Sequence, residues 1–381
     1  MELDQPISRR RFAGLLGAGI ASAALRPVVP AAAAAPTPAA SLDPNGIVRL
    51  SSNENPYGPP PAAFDAMRQA FDLVWRYPDE AADGLIGALA RLHGVGNDQV
   101  LLGNGSGEIL KICAAAFTGP GRPVVMASPT FEAIGRYTRA AGGEVIQVPL
   151  TSDHGHDLAK MLEAARFAGL VYVCNPNNPT GSVTPDLRGF LDHLPAGTAV
   201  LVDEAYHHYS DERAEGNPYE SVIPLVAGQP NLIVARTFSK IYGMAGLRCG
   251  YAIARPETLE RLRFHQAWDT VNIQALVAAR AALDDTAHLE RSRRLNRETR
   301  AWVTGELAGR GYATIPSHTN FLMTDLRRDV GPVIDALRQR RVEVGRRFTA
   351  LPTHLRVTLG TRPQMERFLG ALSEVLAAPP A

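Results

Sequence analysis

The chain has 381 residues, 45% of them hydrophobic, with 39 Lys plus Arg against 38 Asp plus Glu and a formal net charge of +1. That is enough for a substantial core and two domains. The balanced charge, with no basic block or basic-aromatic stripe, excludes a nucleic-acid-binding class.

The first forty residues stand apart. Arg9-Arg-Arg11 leads into the apolar segment 12–25, and an Ala/Pro tract follows to Ala40. A basic front, a short apolar run and small residues make a secretory signal. Ser8-Arg-Arg-Arg-Phe12 is similar to the twin-arginine export motif, which a receptor reads and which does not anchor the chain. The run is short and Gly/Ala-rich for a permanent membrane span. Residues 1–40 are therefore expected to be a twin-arginine signal and linker, cut among 31–40, leaving the protein periplasmic or secreted. The alternative is a tail whose arginines are accidental.

After the leader, 47–50 reads as a short strand and 53–60 as an irregular segment dense in turn formers. A helix is expected over 61–71, with Phe64, Met67 and Phe71 on its apolar positions, and another from Asp83 as cap to His93. From 99 to 254 the pattern alternates. Strands are expected at 100–102, 123–127, 144–148, 170–174, 199–202, 232–235 and 250–254. Helices are expected at 107–117, 131–141, 157–166 and 185–194, the last with Thr184 as cap and Pro185 in its first turn. This alternation predicts a largely parallel sheet covered on both faces, with functional residues at the carboxyl ends of its strands. A broken helical region spans 256–307. A smaller α/β unit follows over 311–378, with strands at 319–323 and 355–359 and helices at 330–339 and 363–376.

Five strand ends carry polar residues that make chemical sense together. Gly103-Asn-Gly-Ser-Gly-Glu108 lies between a strand and a helix, where backbone donors and the helix N-terminus suit a phosphate. Phe131, after Ser128-Pro-Thr, either stacks on an aromatic ring or fills the core. Asn175-Pro-Asn-Asn-Pro-Thr-Gly181 is a rigid turn from which Asn178 can donate to a ring oxygen. Asp203 ends an apolar strand in Val202-Asp-Glu-Ala-Tyr206 and needs a charged partner. A protonated pyridine nitrogen would serve, with Tyr206 reaching the same ring's oxygen. Finally, Arg236-Thr-Phe-Ser-Lys240 sets a lysine among small and apolar neighbours, eight residues before Arg248. Such a lysine suits a Schiff base with an aldehyde cofactor and then a proton shuttle. Ser239 and Arg248 suit its phosphate.

This set resembles the fold-type I pyridoxal-phosphate aminotransferases, and most closely the histidinol-phosphate aminotransferase family. The resemblance covers about residues 45–375. It rests on Asn-Glu-Asn-Pro-Tyr-Gly at 53–58, Arg76-Tyr-Pro-Asp79, Asn-Asn-Pro-Thr-Gly at 177–181, Asp-Glu-Ala-Tyr at 203–206, and Arg-Thr-Phe-Ser-Lys with Ala-Gly-Leu-Arg at 236–248. It implies a large domain with a mostly parallel seven-stranded sheet in an α/β/α sandwich, plus a smaller α/β domain. The corresponding boundaries are an N-terminal arm and part of the small domain at 41–75, the large cofactor domain at 76–280, and the C-terminal small domain at 281–378.

By the same resemblance Lys240 is the Schiff-base lysine of pyridoxal 5'-phosphate, and Asp203 pairs with the ring nitrogen. Asn178 and Tyr206 hold the ring oxygen, and Phe131 takes the stacking place. Gly105, Ser106, Gly107, Ser239 and Arg248 bind the phosphate. Tyr77 reaches the cofactor of a partner subunit, which implies a homodimer. Arg356 holds the substrate's carboxylate, and Tyr57 and Asn320 line the pocket. Where the family carries Val-Arg-Asp, this chain has Val342-Glu-Val-Gly-Arg-Arg-Phe348, so Arg346 is the shifted candidate for the substrate's distal group.

The implied reaction moves an amino group from an amino acid or related amine to a 2-oxo acid in a ping-pong sequence. Export points away from histidinol phosphate, a cytoplasmic substrate, and toward a free amino acid or a cell-wall-, siderophore- or secondary-metabolite-related amine. Histidinol-phosphate transamination itself, and decarboxylation, racemisation or elimination on the same cofactor, are the alternatives. A ligand-sensing regulator would need a DNA-binding module where the leader stands. His154 and His156 read as surface residues. His207 and His208 follow Tyr206, and His318 precedes Thr319-Asn320 near the expected pocket mouth. None of the histidines has metal-ligand spacing, and no metal is expected. Cys113, Cys174 and Cys249 show neither zinc spacing nor a disulfide framework and read as small buried residues.

Overall fold

Runs of aliphatic residues too short for helices and bounded by Gly, Pro and Asn build the centre of the molecule. A computed structural model describes residues 46–210 and 219–377, which lie in one compact unit. The expected leader and linker, 1–40, lies outside the described residues, as do 41–45 of the arm and residue 378.

In chain order the strands are β1 (Val48–Leu50), β2 (Val100–Gly103), β3 (Val124–Ser128), β4 (Val145–Pro149), β5 (Leu170–Cys174), β6 (Ala199–Asp203), β7 (Leu232–Thr237), β8 (Gly250–Ile253), β9 (Ala313–Thr314), β10 (Phe321–Asp325), β11 (Val342–Val344) and β12 (His354–Thr358). The α-helices are α1 (Pro61–Gln69), α2 (Asp79–His93), α3 (Ser106–Phe117), α4 (Ala133–Ala140), α5 (Leu158–Ala164), α6 (Leu187–Asp192), α7 (Pro256–Arg263), α8 (Ile273–Asp284), α9 (Thr286–Gly309), α10 (Val330–Gln339) and α11 (Arg362–Ala377).

Seven strands form one sheet in the order β2-β8-β7-β6-β5-β3-β4. All neighbouring pairs from β4 to β7 are parallel, and β8 alone runs against its two neighbours. The central strands β5, β6 and β7 are buried along their whole length, as expected of a sheet covered on both faces. One face packs on α2, α5, α6 and α8 through Leu85, Met161, Phe190 and Leu276. The other packs on α3, α4 and α7 through Ile109, Cys113, Ile134 and Leu259. The expected α/β/α sandwich is therefore present.

A second core gathers β1, β10, β11 and β12 with α10, α11 and the end of α9. β1 pairs in parallel with β11, nearly three hundred residues on, while β12, β10 and β9 form an antiparallel sheet. β11 is absent from the expected strands: three residues, Val-Glu-Val, carry too little periodicity, and β1 supplies the partner. That pairing carries segment 51–58 from the second core past the edge of the main sheet.

Four local expectations are corrected. α2 starts at Asp79, so Asp83 is not its cap. α6 is capped by Asp186, whose side chain accepts from the Gly189 N–H, and starts later than Pro185. Thr184 is used elsewhere: its N–H donates to Asn175 Oδ1 at 2.9 Å, and its hydroxyl oxygen accepts from the His156 N–H at 2.9 Å. His156 is accordingly buried and not a surface residue. On α1, which ends at Gln69, the buried residue is Ala63, while Phe64, and Phe71 in the 3-10 turn beyond it, are exposed.

Candidate active site

Because the strands are parallel, their carboxyl ends share one edge. β2 delivers Gly105, Ser106 and Gly107 there, β3 delivers Phe131, β5 delivers Asn178, β6 ends on Asp203, and β7 leads to Ser239 and Lys240. β8 runs the opposite way, so its beginning lies at this edge and brings Arg248 with it. Segment 51–53 and Arg356 of β12 close the space from the second core. The result is a cavity of about 280 Å³ lined by Lys240, Asp203, Tyr206, Arg248, Arg356 and Phe131, among others.

At one end, Gly105 turns with φ 73° into the N-terminus of α3. A Cβ here would strike the Arg248 guanidinium, so the glycine is required by both conformation and space. Arg248 Nη1 donates to the Ala245 carbonyl at 2.9 Å and to Ser239 Oγ at 3.3 Å. No carboxylate pairs with Arg248 among the described residues. A guanidinium, two serines and a helix N-terminus form a dianion cradle.

Across the cavity, Asp203 is buried. Its Oδ2 accepts from the Tyr172 hydroxyl at 2.9 Å and its Oδ1 from the Ala205 N–H at 3.1 Å. Burial pushes its carboxyl up to about 6, against the lowering effect of the Tyr172 bond. Only neutral donors touch it, which leaves a buried carboxylate suited to a cationic ring nitrogen.

Between the two ends, Lys240 Nζ donates to the carbonyls of Ser52 and Asn53 at 3.2 and 3.1 Å. Burial, then the Arg356 charge, lowers the amine to about 8. Tyr206 accepts from Asn53 Nδ2 at 2.9 Å and from Asn178 Nδ2 at 3.4 Å. Arg356 donates to Asn178 Oδ1 and to the Ser51 carbonyl, each at 2.8 Å, and its Nε is buried without a partner. The dianion cradle, the uncompensated acid and the depressed amine fit pyridoxal 5'-phosphate end to end.

Other expected site residues lie elsewhere. Tyr57 is half-buried, and its hydroxyl bonds Thr299 on α9. Asn320 is buried behind segment 53–54, donating to both carbonyls. Arg346 pairs at 2.8 Å with Glu132, the residue after Phe131, both side chains more than half exposed. It marks the rim, not the lining. Tyr77 is 81% exposed and lies in a separate groove of about 1110 Å³ with Arg76 and Trp268.

Two residues, Asn53 in the cavity lining and Tyr172 behind it, have no role in the sequence reading. Asn53 was part of a motif only. Tyr172 had one signal: a phenol in an otherwise aliphatic buried strand must find a hydrogen-bond partner. Among the described residues, no group of three or more His, Cys, Asp or Glu side chains is arranged to hold a metal ion, and no helix is long and apolar enough to cross a membrane.

Residues 45–372 match the family model described as aminotransferase class I and II. The chain is 43% identical over 336 residues to the histidinol-phosphate aminotransferase of Moorella thermoacetica, covering 87% of this chain and 86% of that one. It is 42% identical over 334 residues to that of Symbiobacterium thermophilum, covering 87% and 91%. Among solved structures it is similar to the histidinol-phosphate aminotransferase of Sinorhizobium meliloti in complex with pyridoxal-5'-phosphate. That likeness has a TM-score of 0.81 and 30% identity, over 86% of this chain and 90% of that one.

Proposed function

The chain belongs to the class I and II aminotransferases, and from that premise we propose how its residues carry out amino-group transfer. It is a pyridoxal-phosphate-dependent enzyme that moves an amino group from a donor to a 2-oxo acid. The observation that carries the residue assignment is the Lys240 amine, lowered to about 8, in one cavity with Asp203, Tyr206, Arg248 and Arg356.

When bound, pyridoxal 5'-phosphate supplies a protonated ring that takes up the electron pair left at the substrate's Cα. Arg248, Ser106, Ser239 and the first N–H groups of α3 would hold its phosphate. Asp203 would hold the ring nitrogen, Asn178 and Tyr206 the ring oxygen, and Phe131 would pack on the ring face. Lys240 would move the proton between the substrate's Cα and the cofactor's C4′, which needs an amine with an appreciable unprotonated fraction near neutral pH. Arg356 fixes the carboxylate of the amino or oxo acid by paired donors.

Purified protein with cofactor should show a visible absorption band that an amino-acid donor bleaches and a 2-oxo acid restores. Lys240→Ala should abolish this cycle and reduce turnover by about 10³-fold or more. Turnover surviving in Lys240→Ala would refute the assignment.

Donors are expected to be α-amino acids with a carboxylate for Arg356. The names of the relatives favour a second donor, histidinol phosphate, with Arg346 at the rim for its distal anion. A donor screen containing both decides between them. The exposed Trp75, Tyr77 and Trp268, 72%, 81% and 94% accessible, support a homodimer in which Tyr77 completes a second copy's site. A monomeric mass in solution would end that reading. Arg9-Arg-Arg11 and the apolar run behind it support twin-arginine export to the periplasm. Fractionation of cells carrying the Arg9→Lys/Arg10→Lys/Arg11→Lys chain tests it, with retention in the cytoplasm expected.

A further inference from the structure

We propose that Asn53 is a positioning residue that aims the hydroxyl proton of Tyr206 into the cavity, toward the ring oxygen of the bound cofactor. This rests on the reading of the cavity as the pyridoxal-phosphate site.

Asn53 is 2% exposed and holds φ 56°, a left-handed conformation that asparagine tolerates better than most residues. Its surroundings fix which way the amide points. The Asn53 backbone N–H donates to Thr358 Oγ1 at 2.9 Å. With that lone pair occupied, the Thr358 hydroxyl gives its own proton to Asn53 Oδ1 at 3.2 Å. The amide oxygen therefore faces Thr358, and Nδ2 faces Tyr206, to which it donates at 2.9 Å.

A second amide is locked in the same sense. Arg356 donates to Asn178 Oδ1 at 2.8 Å, which turns Asn178 Nδ2 toward Tyr206 at 3.4 Å. The phenolic oxygen now accepts from two amides and cannot donate to either. Its proton is left the remaining direction, the cavity that Tyr206 lines.

The charged and titratable groups around Tyr206 do not remove that proton. They are Asp203 on β6, Cys174 on β5, Arg356 on β12, the buried Tyr209 three residues on, and Lys240, whose Nζ lies 5.6 Å from the Tyr206 ring centroid. Burial holds the phenol above its ordinary range, so it stays protonated. The Asn53 carbonyl meanwhile accepts from Lys240 Nζ at 3.1 Å. One residue thus orients both the amine and the hydroxyl that face the cofactor's reactive end.

The test is a spectrophotometric pH titration of the visible band of the full holoprotein. A proton donated to the ring oxygen favours its anionic form and holds the titration midpoint down. Tyr206→Phe should raise the midpoint by about one pH unit. Asn53→Ala should shift it in the same direction, and the double variant should move no further than Tyr206→Phe alone. Thr358→Val should reproduce part of the shift, and Thr358→Ser should restore the wild-type midpoint. This pair keeps the test decisive if Asn53→Ala does not fold. A wild-type midpoint in Asn53→Ala or Thr358→Val, or a double variant in which the shifts add, overturns the proposal. A wild-type protein without any titrating visible band would instead overturn the cofactor site itself, and the proposal with it.

Discussion

Tyr172 shows how a residue outside the cavity governs the chemistry inside it. Its hydroxyl donates to Asp203 Oδ2 at 2.9 Å from the middle of a fully buried strand. A hydrogen bond to the ionised form lowers an acid's pKa. Burial leaves Asp203 at about 6 even with this bond in place, so the bond helps to keep the carboxylate charged at neutral pH. Tyr172→Phe should push Asp203 higher still and weaken its hold on a cationic ring nitrogen. Cofactor affinity at pH 7 should fall about tenfold, and the acid limb of binding should move to higher pH. Absorbance titration with pyridoxal 5'-phosphate across pH checks both. An unchanged limb would show that Tyr172 only fills space. The proposed role of Asp203 is suggested by the sequence because an acid ending an apolar strand demands explanation. Its partner is not, because β5 and β6 become neighbours only when the sheet forms.

The strands β6 and β7 are joined near their functional ends by a second buried acid. Glu204 Oε2 accepts from Arg236 Nε at 2.9 Å and Nη2 at 2.7 Å, with both side chains almost wholly buried. Its Oε1 accepts from the Val222 N–H at 2.9 Å, tying in the segment that follows β6. Asp203 and Lys240 sit one and four residues from this pair, so it holds their two strands in register. Glu204→Ala leaves the guanidinium buried and uncompensated, and should cost about 3–5 kcal/mol. The double variant Glu204→Leu/Arg236→Leu, which removes both charges, should recover much of that. Urea unfolding measures both. Equal destabilisation by the single and double variants would contradict the argument. Element types are well read here because aliphatic runs and helical spacing are local properties. The ends are read less well: Asp186 caps α6 because Thr184 is drawn into bonds with Asn175 and His156, residues remote in the chain.

Across the whole molecule, several histidines are buried as neutral rings. Burial, and then the Arg236 charge, brings His93 down to about 3, while burial alone brings His156 to about 4. Burial also sets His207 and His208 well below the ordinary value. A histidine whose folded pKa is depressed adds stability above its unfolded pKa, near 6.5, and loses it as pH falls toward the folded value. The protein should therefore be steady between about pH 6.5 and 8 and weaken progressively down to pH 4, with His156 alone contributing roughly 3 kcal/mol of loss. Asp203 acts in the opposite sense, because protonation near pH 6 relieves a buried carboxylate. Thermal melts from pH 7 to pH 4 check the sign, and His156→Asn should flatten the slope. A melting temperature that rose on acidification would rule the account out.

The sequence by itself determined the layered α/β plan and the order of polar motifs at strand ends, which follow from periodicity and from residue types that chemistry rarely places there otherwise; its resemblance to a known family named the cofactor. The tertiary structure alone decided which residues meet. Tyr57 turns to α9, Arg346 stays at the rim against Glu132, and Asn53 reaches Tyr206, 153 residues away. The physical reason is that a strand's period is set within a few residues. A hydrogen bond across the cavity instead depends on β1 pairing with β11 and on one core packing against the other.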